Sequence, residues 1–287
     1  MGMKKLFTPI KIGSMKVRNR MVVPAMGTNL AEHNGEAGDR LIAYYTERAK
    51  GGFGLIITEC TAVSYEGRSL INECGLWDDS LIPSYRRLTD SVHAEGAKIA
   101  VQLRHCGRET EPCYTGGRDI PAPSRVPCPA CQSMPKEMTT EEVYKMVETF
   151  GDAALRGKKA GFDAVELHVS HGYLIAQFLS GHANKRTDEF GGSLHNRMRF
   201  LKLVLRDIRR KTGTMDSARK IRDSCRISRY LRGNRRHDFR KRVAGNFRFS
   251  RAILSLSAPD PSGGWVGNCL DVSAFQQSEP EGDDTGI

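Results

Sequence analysis

Apolar and polar positions along the first 213 residues follow two rhythms. Met21–Pro24 is a short apolar run closed by a proline. Over Asp39–Lys50, Leu41, Ile42, Tyr45 and Ala49 recur at helical spacing and predict a helix. Gly54–Glu59 (Gly-Leu-Ile-Ile-Thr-Glu) is apolar without alternation until its polar end, as expected of a strand covered on both faces. Asp79–Glu95 predicts a second helix, with Leu81, Ile82, Tyr85, Leu88 and Val92 on one face and Gly96 as its stop. Ala97–Leu103 reads as a third strand. Thr139-Thr140-Glu141-Glu142 has the chemistry of a helix start, and that helix is expected to run to about Ala160. Asp163–His168 reads as a fourth strand, and Gly172–Leu179 and Leu194–Lys211 as helices. Strand and helix thus alternate in four units, the pattern of a parallel sheet with crossover helices. No Gly-x-Gly-x-x-Gly follows the first strand, so a doubly wound dinucleotide fold is not supported. A (β/α)8 barrel is the expected fold.

Length complicates that expectation. A whole barrel takes about 250 residues, and four units plus a long Pro/Gly/Cys-rich loop over 104–138 already occupy 1–213 of 287. The barrel is therefore expected to be incomplete, with its first four to five β/α units followed by an irregular C-terminal tail. Asp223–Ser228 is the candidate fifth strand. Residues 214–251 carry 11 Arg and 2 Lys against 3 acids, whereas 252–287 carry 6 acids and no Lys or Arg. Residues 214–251 alone thus carry +10, partly offset by −6 over 252–287, against +7 over 1–213. Residues 214–287 read as foreign to the fold, as a shifted reading frame would make them, or as disordered. A half barrel would leave a parallel sheet edge open.

No run approaches the roughly 18 apolar residues of a membrane helix, and the N-terminal segment lacks a secretory apolar stretch. A cytoplasmic location is expected. The 8 cysteines are expected to be thiols. Cys128-Pro-Ala-Cys131 has a paired spacing, but no second close pair completes a zinc or iron–sulfur site, so no metal is expected there.

In a barrel the residues at the C-terminal ends of the strands build the active site. Those ends are Pro24-Ala25-Met26-Gly27-Thr28, Thr58-Glu59-Cys60, Gln102-Leu103-Arg104-His105, and Glu166-Leu167-His168-Val169-Ser170-His171-Gly172-Tyr173. Gln102, His105, His168, His171 and Tyr173 are expected to share one pocket. Each has a plain structural alternative: Gln102 capping a strand, His105 bonding a carbonyl, Tyr173 packing, and His168 with His171 ligating zinc. Together, neutral imidazole N–H donors beside a phenol suit a carbonyl oxygen that is polarised while a proton is delivered. That is the chemistry of hydride addition to an activated alkene.

Several ordered motifs strengthen this reading. They are Leu6-Phe7-Thr8-Pro9-Ile10, Val17-Arg18-Asn19-Arg20 running into Met21–Met26, Gly54–Glu59, Gln102-Leu103-Arg104-His105-Cys106-Gly107-Arg108, Ala122-Pro123-Ser124, and the block from Glu166 to Arg199 with Arg186-Thr187-Asp188-Glu189-Phe190-Gly191-Gly192-Ser193. Over about 210 residues the chain resembles the Old Yellow Enzyme class of NADH:flavin oxidoreductases, in the branch of 2-enoate reductases, 2,4-dienoyl-CoA reductases and bile-acid-inducible oxidoreductases. The resemblance implies FMN in a (β/α)8 TIM barrel, with NAD(P)H as electron donor. Pro24, Ala25, Met26 and Gly27 would line the isoalloxazine, Cys60 would touch it, and Gln102 would meet its pyrimidine edge. Arg226 would face the opposite edge. His168 and His171 would bind the substrate's carbonyl oxygen, and Tyr173 would donate the proton. The loop over 104–138, with Cys128 and Cys131, would be a substrate-side lid. The substrate would be an enoate, enoyl-CoA or steroid enone, reduced or, in reverse, desaturated. No iron–sulfur cluster is evident, and an aberrant C-terminus would impair FMN binding.

Two other classes compete. A metal-dependent barrel lyase could use His105, His168 and His171, although no strand-end lysine offers a Schiff base. An RNA-binding protein could act through the Arg-rich segment, although it lacks the interleaved aromatics of an RNA-binding fold. Neither a membrane nor nucleic acid is the expected partner.

Overall fold

A computed structural model describes residues 5–131 and 133–213, and the backbone alone of 252–255 and 270–271. Four parallel strands lie side by side in chain order: Val22–Val23, Leu55–Ala62, Lys98–Arg104 and Ala164–Leu167. The helices Asp39–Lys50, Ile82–Ala94 and Thr140–Lys159 form the crossovers, and a further helix, Arg199–Thr212, packs on the last of these. This is the first half of a (β/α)8 barrel. Each expected unit is present, with ends moved by one to three residues. The long C-terminal helix is broken into Leu194–Arg197 and Arg199–Thr212.

Strand alternation explains the two cores. Ile56, Ile99, Val101, Val165 and Leu167 face the helices and join Tyr45, Leu88, Phe150 and Phe200 in the larger cluster. Leu55, Ile57, Ala100 and Ala164 face the barrel interior and form a second, smaller cluster. That inner cluster is closed from below by a hairpin, Ile10–Ile12 paired with Met15–Val17, which the periodicity of so short a segment does not announce. Its turn uses Gly13 at φ 59°, in the left-handed region that glycine enters without strain.

The helix starting at Thr140 is opened by a complete capping box. Thr139 Oγ1 accepts from the Glu142 amide at 3.1 Å, and the Glu142 carboxylate accepts from the Thr139 amide at 2.8 Å. The segment between strand three and this helix is not structureless. It contains the short helix Pro112–Thr115 and a two-residue parallel pairing of Pro121–Ala122 with Lys136–Glu137.

Beside the fourth strand the continuation differs from expectation. The candidate fifth strand, Asp223–Ser228, lies outside the described residues. The segment seated on Ala164–Leu167 is Ala252–Ser255, and it runs antiparallel, carrying Leu270–Asp271 on its far side. An open parallel edge presents unpaired backbone groups, and the backbone of Ala252–Ser255 pairs with them.

The Arg186–Ser193 block ties the 104–138 segment to the barrel. Arg186 donates to the carbonyls of Pro123 (3.2 Å) and Met138 and to the Asp188 carboxylate at 2.5 Å. Asn184 Nδ2 donates to the carbonyls of Phe178 and Phe190, both at 2.8 Å. A side chain at Gly191 would place its Cβ 1.9 Å from the Arg186 carbonyl oxygen, so only glycine fits. The hydrogen bond from Arg186 holds the Asp188 carboxyl down at about 2. A carboxylate whose folded value lies below its unfolded one stabilises fully above the unfolded value and ceases to do so as pH falls through the folded one. Asp188 should therefore contribute fully above pH ~4 and lose its contribution toward pH ~2. In urea melts near neutrality, Asp188→Asn should cost about 1.5–3 kcal/mol. Below that window it should cost little, and a deficit independent of pH would contradict the assignment.

Candidate active site

The inner face grows polar from bottom to mouth. Strand three presents Ala100, Gln102 and Arg104 inward, and strand four presents Ala164, Glu166 and, one step past its end, His168. A register shift between Ile57 and Cys60 brings Cys60 level with Gln102, which is level with Glu166. The three make one layer. Cys60 Sγ donates to Gln102 Oε1 at 3.1 Å, and Gln102 Nε2 donates to Glu166 Oε1. Burial pushes the Cys60 thiol up to about 11, so it is a neutral donor. Each end of the Gln102 amide makes one bond in the layer and has the capacity for another.

Past strand four the chain turns back on itself. His171 sits at φ 56°, unusual for a residue other than glycine. The turn gathers the three predicted side chains. His168 Nδ1 accepts from the Ser170 amide at 3.3 Å, and His168 Nε2 lies 3.2 Å from His171 Nδ1. With both rings neutral, this chain makes His168 an Nε2–H donor and leaves His171 with its Nε2–H directed out of the pair. The Tyr173 ring stands edge-on to both, its centroid 4.7 Å from that of His168 and 6.4 Å from that of His171. Burial raises the Tyr173 hydroxyl above its usual value, with Arg104 opposing, so it carries its proton at neutral pH.

The loop after strand one forms the open rim of the same mouth. Pro24, Met26 and Gly27 are exposed and Ala25 half-buried. A Cβ on Gly27 would meet only Leu70 Cδ1, at 3.9 Å. Glu59 anchors this rim, accepting from the Thr28 amide at 2.6 Å, the Thr28 hydroxyl at 2.5 Å and the Asn29 amide at 3.2 Å.

His105 is a correction. It does not join the pocket. Its ring is fully buried against Gly67, where an added Cβ would lie 2.9 Å from Cδ2, and its Nδ1 accepts from the Gly107 amide at 3.0 Å. Burial drives it down to about 4, so it is a neutral packing residue. The zinc arrangement of His105 with His168 and His171 is therefore not formed. Among the described residues no three His, Cys, Asp or Glu side chains gather as a metal site. Cys128 is buried and Cys131 half-buried; burial and the neighbouring Cys128 push Cys131 up to about 11. Arg226 and the Arg-rich segment lie outside the described residues. Among the described residues no helix is long and apolar enough to cross a membrane.

Sequence reasoning passed over Arg104, Glu73 and Glu166. Arg104 and Glu73 form an ion pair between side chains only 3% and 1% exposed. The available signal was alternation: Gln102 and Arg104 are polar at inward positions of an otherwise apolar strand.

Comparison with known proteins agrees with this geometry. The chain is 44% identical over 209 residues to an NADH oxidase of Thermoanaerobacter brockii, covering 72% of this chain and 32% of that protein. It is 44% identical over 199 residues to an NADPH dehydrogenase of Bacillus velezensis, covering 69% of this chain and 58% of that one. Among solved structures, a 2-naphthoyl-CoA reductase in complex with 2-naphthoyl-CoA superposes with a TM-score of 0.70 at 37% identity, over 74% of this chain and 34% of that one. Morphinone reductase superposes with a TM-score of 0.68 at 32% identity, over 71% of this chain and 58% of that one. The chain thus spans between a third and three-fifths of the length of these relatives. The family match itself covers residues 5–239, running past Gly213 and through the position of Arg226. With that match over most of its length and the half barrel it folds into, the chain belongs to the NADH:flavin oxidoreductase / NADH oxidase family.

Proposed function

We propose that this chain holds FMN at the strand-end mouth and uses NAD(P)H to reduce an alkene conjugated to a carbonyl, such as an enoate, an enoyl-CoA or a steroid enone. The observation that carries the reading is the His168–His171–Tyr173 cluster, two imidazoles in hydrogen-bond contact edge-on to a protonated phenol, beside the Cys60–Gln102–Glu166 layer.

The residues fit a flavin. The imide edge of the ring needs a donor and an acceptor together, and the Gln102 amide offers both. The exposed rim of Pro24, Ala25, Met26 and Gly27 offers backbone groups to a flat ring, and Cys60 is small and neutral. Arg226 is the candidate for the opposite edge. Bound FMN would supply the two-electron chemistry, taking hydride from NAD(P)H and giving it to the alkene.

The protein's own part is orientation and proton handling. His171 would point its Nε2–H at the carbonyl oxygen, and His168 would turn its Nε2–H from His171 to the same oxygen when substrate binds, drawing charge toward it as hydride reaches the β-carbon. Tyr173 would give its hydroxyl proton to the α-carbon. A relative solved with 2-naphthoyl-CoA supports a conjugated thioester among the substrates. The reverse reaction, desaturation, would use the same groups in the opposite sense.

The test is a flavin spectrum of the purified full chain reconstituted with FMN, followed by anaerobic NADH or NADPH titration and addition of a conjugated enone. Bleaching of the flavin band and its return on adding enone are expected. A protein that takes up no flavin, or a reduced flavin indifferent to every conjugated carbonyl compound tried, would overturn the proposal.

A further inference from the structure

Arg104 ends strand three on its inward row, where the reaction proposed above gives it no task. It is 2% exposed and forms its ion pair with Glu73, itself 1% exposed. Arg104 Nη2 also donates to Ser69 Oγ at 2.9 Å, and Glu73 accepts from the amides of Ser69 (2.8 Å) and Leu70 (3.2 Å). The pair thus pins the loop after strand two to the mouth. That structural duty does not explain where the guanidinium points. Its carbon stands 4.4 Å from the centroid of the Tyr173 ring, and its Nε has no hydrogen-bond partner. A cation placed over a phenol ring is attracted to the neutral ring and more strongly to the phenolate.

We propose that Arg104 is a positioning residue for Tyr173: anchored by Glu73, its buried cation fixes the phenol ring at the mouth and balances the negative charge left on the oxygen when the hydroxyl proton departs. This rests on the proton-donor role of Tyr173 in the proposed reaction. In that step the Tyr173 O–H bond breaks and a C–H bond forms at the substrate's α-carbon. The hydride at the β-carbon comes from flavin reduced by NAD(P)H, and solvent water returns a proton to the phenolate.

The charged and titratable groups facing Tyr173 work in opposite senses. Burial raises its hydroxyl most; Arg104 lowers it, while Cys60 and Glu109 raise it. Glu109 approaches from the lid side, its Oε2 lying 2.9 Å from where a Cβ on Gly172 would stand. The His168 and His171 rings stand on the remaining sides. Among the described residues, Arg104 is thus the cation that opposes burial, Cys60 and Glu109 at Tyr173.

The test reads the phenol directly. The full chain is labelled with fluorotyrosine, whose more acidic phenol titrates in a milder range. The fluorine resonance lost in Tyr173→Phe is then followed against pH. Arg104→Gln combined with Glu73→Gln removes both buried charges together, so that neither is left unpaired, and keeps polar side chains at both positions. It should raise the residue-173 titration by about one pH unit or more and slow enone reduction with little change in KM. Arg104→Lys should move the titration less. An unchanged titration in the double variant would overturn the proposal, because a purely structural ion pair would leave the phenol where it was. A wild-type protein that reduces no conjugated carbonyl compound would remove the functional reading, and with it the proton-donor step, while the titration would still decide whether Arg104 acts on Tyr173.

Discussion

Tyr173→Phe should slow reduction of a conjugated carbonyl compound by about 10²- to 10⁴-fold, the usual share of a positioned general acid. Reduction of bound flavin by NAD(P)H should continue at close to its original rate. The substitution removes one oxygen and leaves the ring, so the edge contact with His168 and the approach of the Arg104 guanidinium can both persist. The fold should be unaffected, and a thermal melt beside the kinetics checks this. The loss should appear in the reoxidation of reduced flavin by enone, because the proton is needed at the α-carbon and nowhere earlier. Burial holds the Tyr173 hydroxyl above its usual range, so the wild-type rate should be flat through neutral pH and fall only on the alkaline side. Replacing His168 or His171 by alanine should instead weaken substrate binding and slow turnover together, since the N–H donors act on both bound substrate and transition state. A Tyr173→Phe protein that reoxidises at the wild-type rate would show that the proton comes from elsewhere, and Tyr173 would revert to a packing residue.

The parallel half barrel was legible because strands covered on both faces need unbroken apolar runs. Gly54–Glu59 and Ala97–Leu103 stand out from amphipathic helices such as Asp79–Glu95 for that reason. The capping signal at Thr139 was legible for a similar reason: the chemistry of four adjacent residues is self-contained, and the box forms. The N-terminal hairpin was not legible. Three-residue strands carry too little pattern, and what fixes them is the inner cluster around Leu55 and Ala100, a tertiary contact.

The same division runs through the site. His168, His171 and Tyr173 are close in sequence, so one turn brings them together whatever the rest of the chain does. Cys60 and Gln102 required the register between two strands, which parallel pairing and a bulge supply. His105 misled because its position beside Gln102 and Arg104 suggested the mouth, whereas strand alternation sends it the opposite way, under Gly67. Arg104 was passed over for the converse reason. A lone arginine at a strand end reads as solvated, and only the buried Glu73, supplied by a loop 31 residues earlier, makes its inward placement tolerable. The Arg186–Ser193 block reads as a functional motif by its density of charge and glycine, yet its described contacts are structural.

Those contacts carry the second large expected effect. Arg186→Ala should destabilise the protein by about 3–5 kcal/mol, the range for removing one partner of a buried charged network. The Arg186 side chain is 5% exposed and holds three anchors at once: the carbonyls of Pro123 and Met138 in the 104–138 segment, and the Asp188 carboxylate. Its loss leaves two carbonyls without their donor in a place with little access to water. Asp188 loses the cation that contributes most to holding its carboxyl below the usual range. Arg186→Lys should recover only part of the loss, since an ammonium restores the charge but cannot reach both carbonyls and the carboxylate with one planar fork. The damage should be centred on the 104–138 segment. Limited proteolysis of Arg186→Ala under native conditions should cut within 104–138 sooner than in the wild type, and before the barrel helices are attacked. Turnover should fall as well, because Arg108 Nη1 binds the carbonyls of Val126 and Pro127, both at 3.1 Å, and the Arg108 amide donates to Gln177 Oε1 at 3.2 Å. Gln177 Nε2 in turn donates to the Gly172 carbonyl at 2.6 Å, between His171 and Tyr173. A 104–138 segment released from Arg186 should therefore loosen the turn that carries Tyr173, the proposed proton donor. If Arg186→Ala instead melts with the wild type and resists protease equally, the 104–138 segment is held by its other contacts, and the Arg186–Ser193 block must be explained by something other than anchoring it.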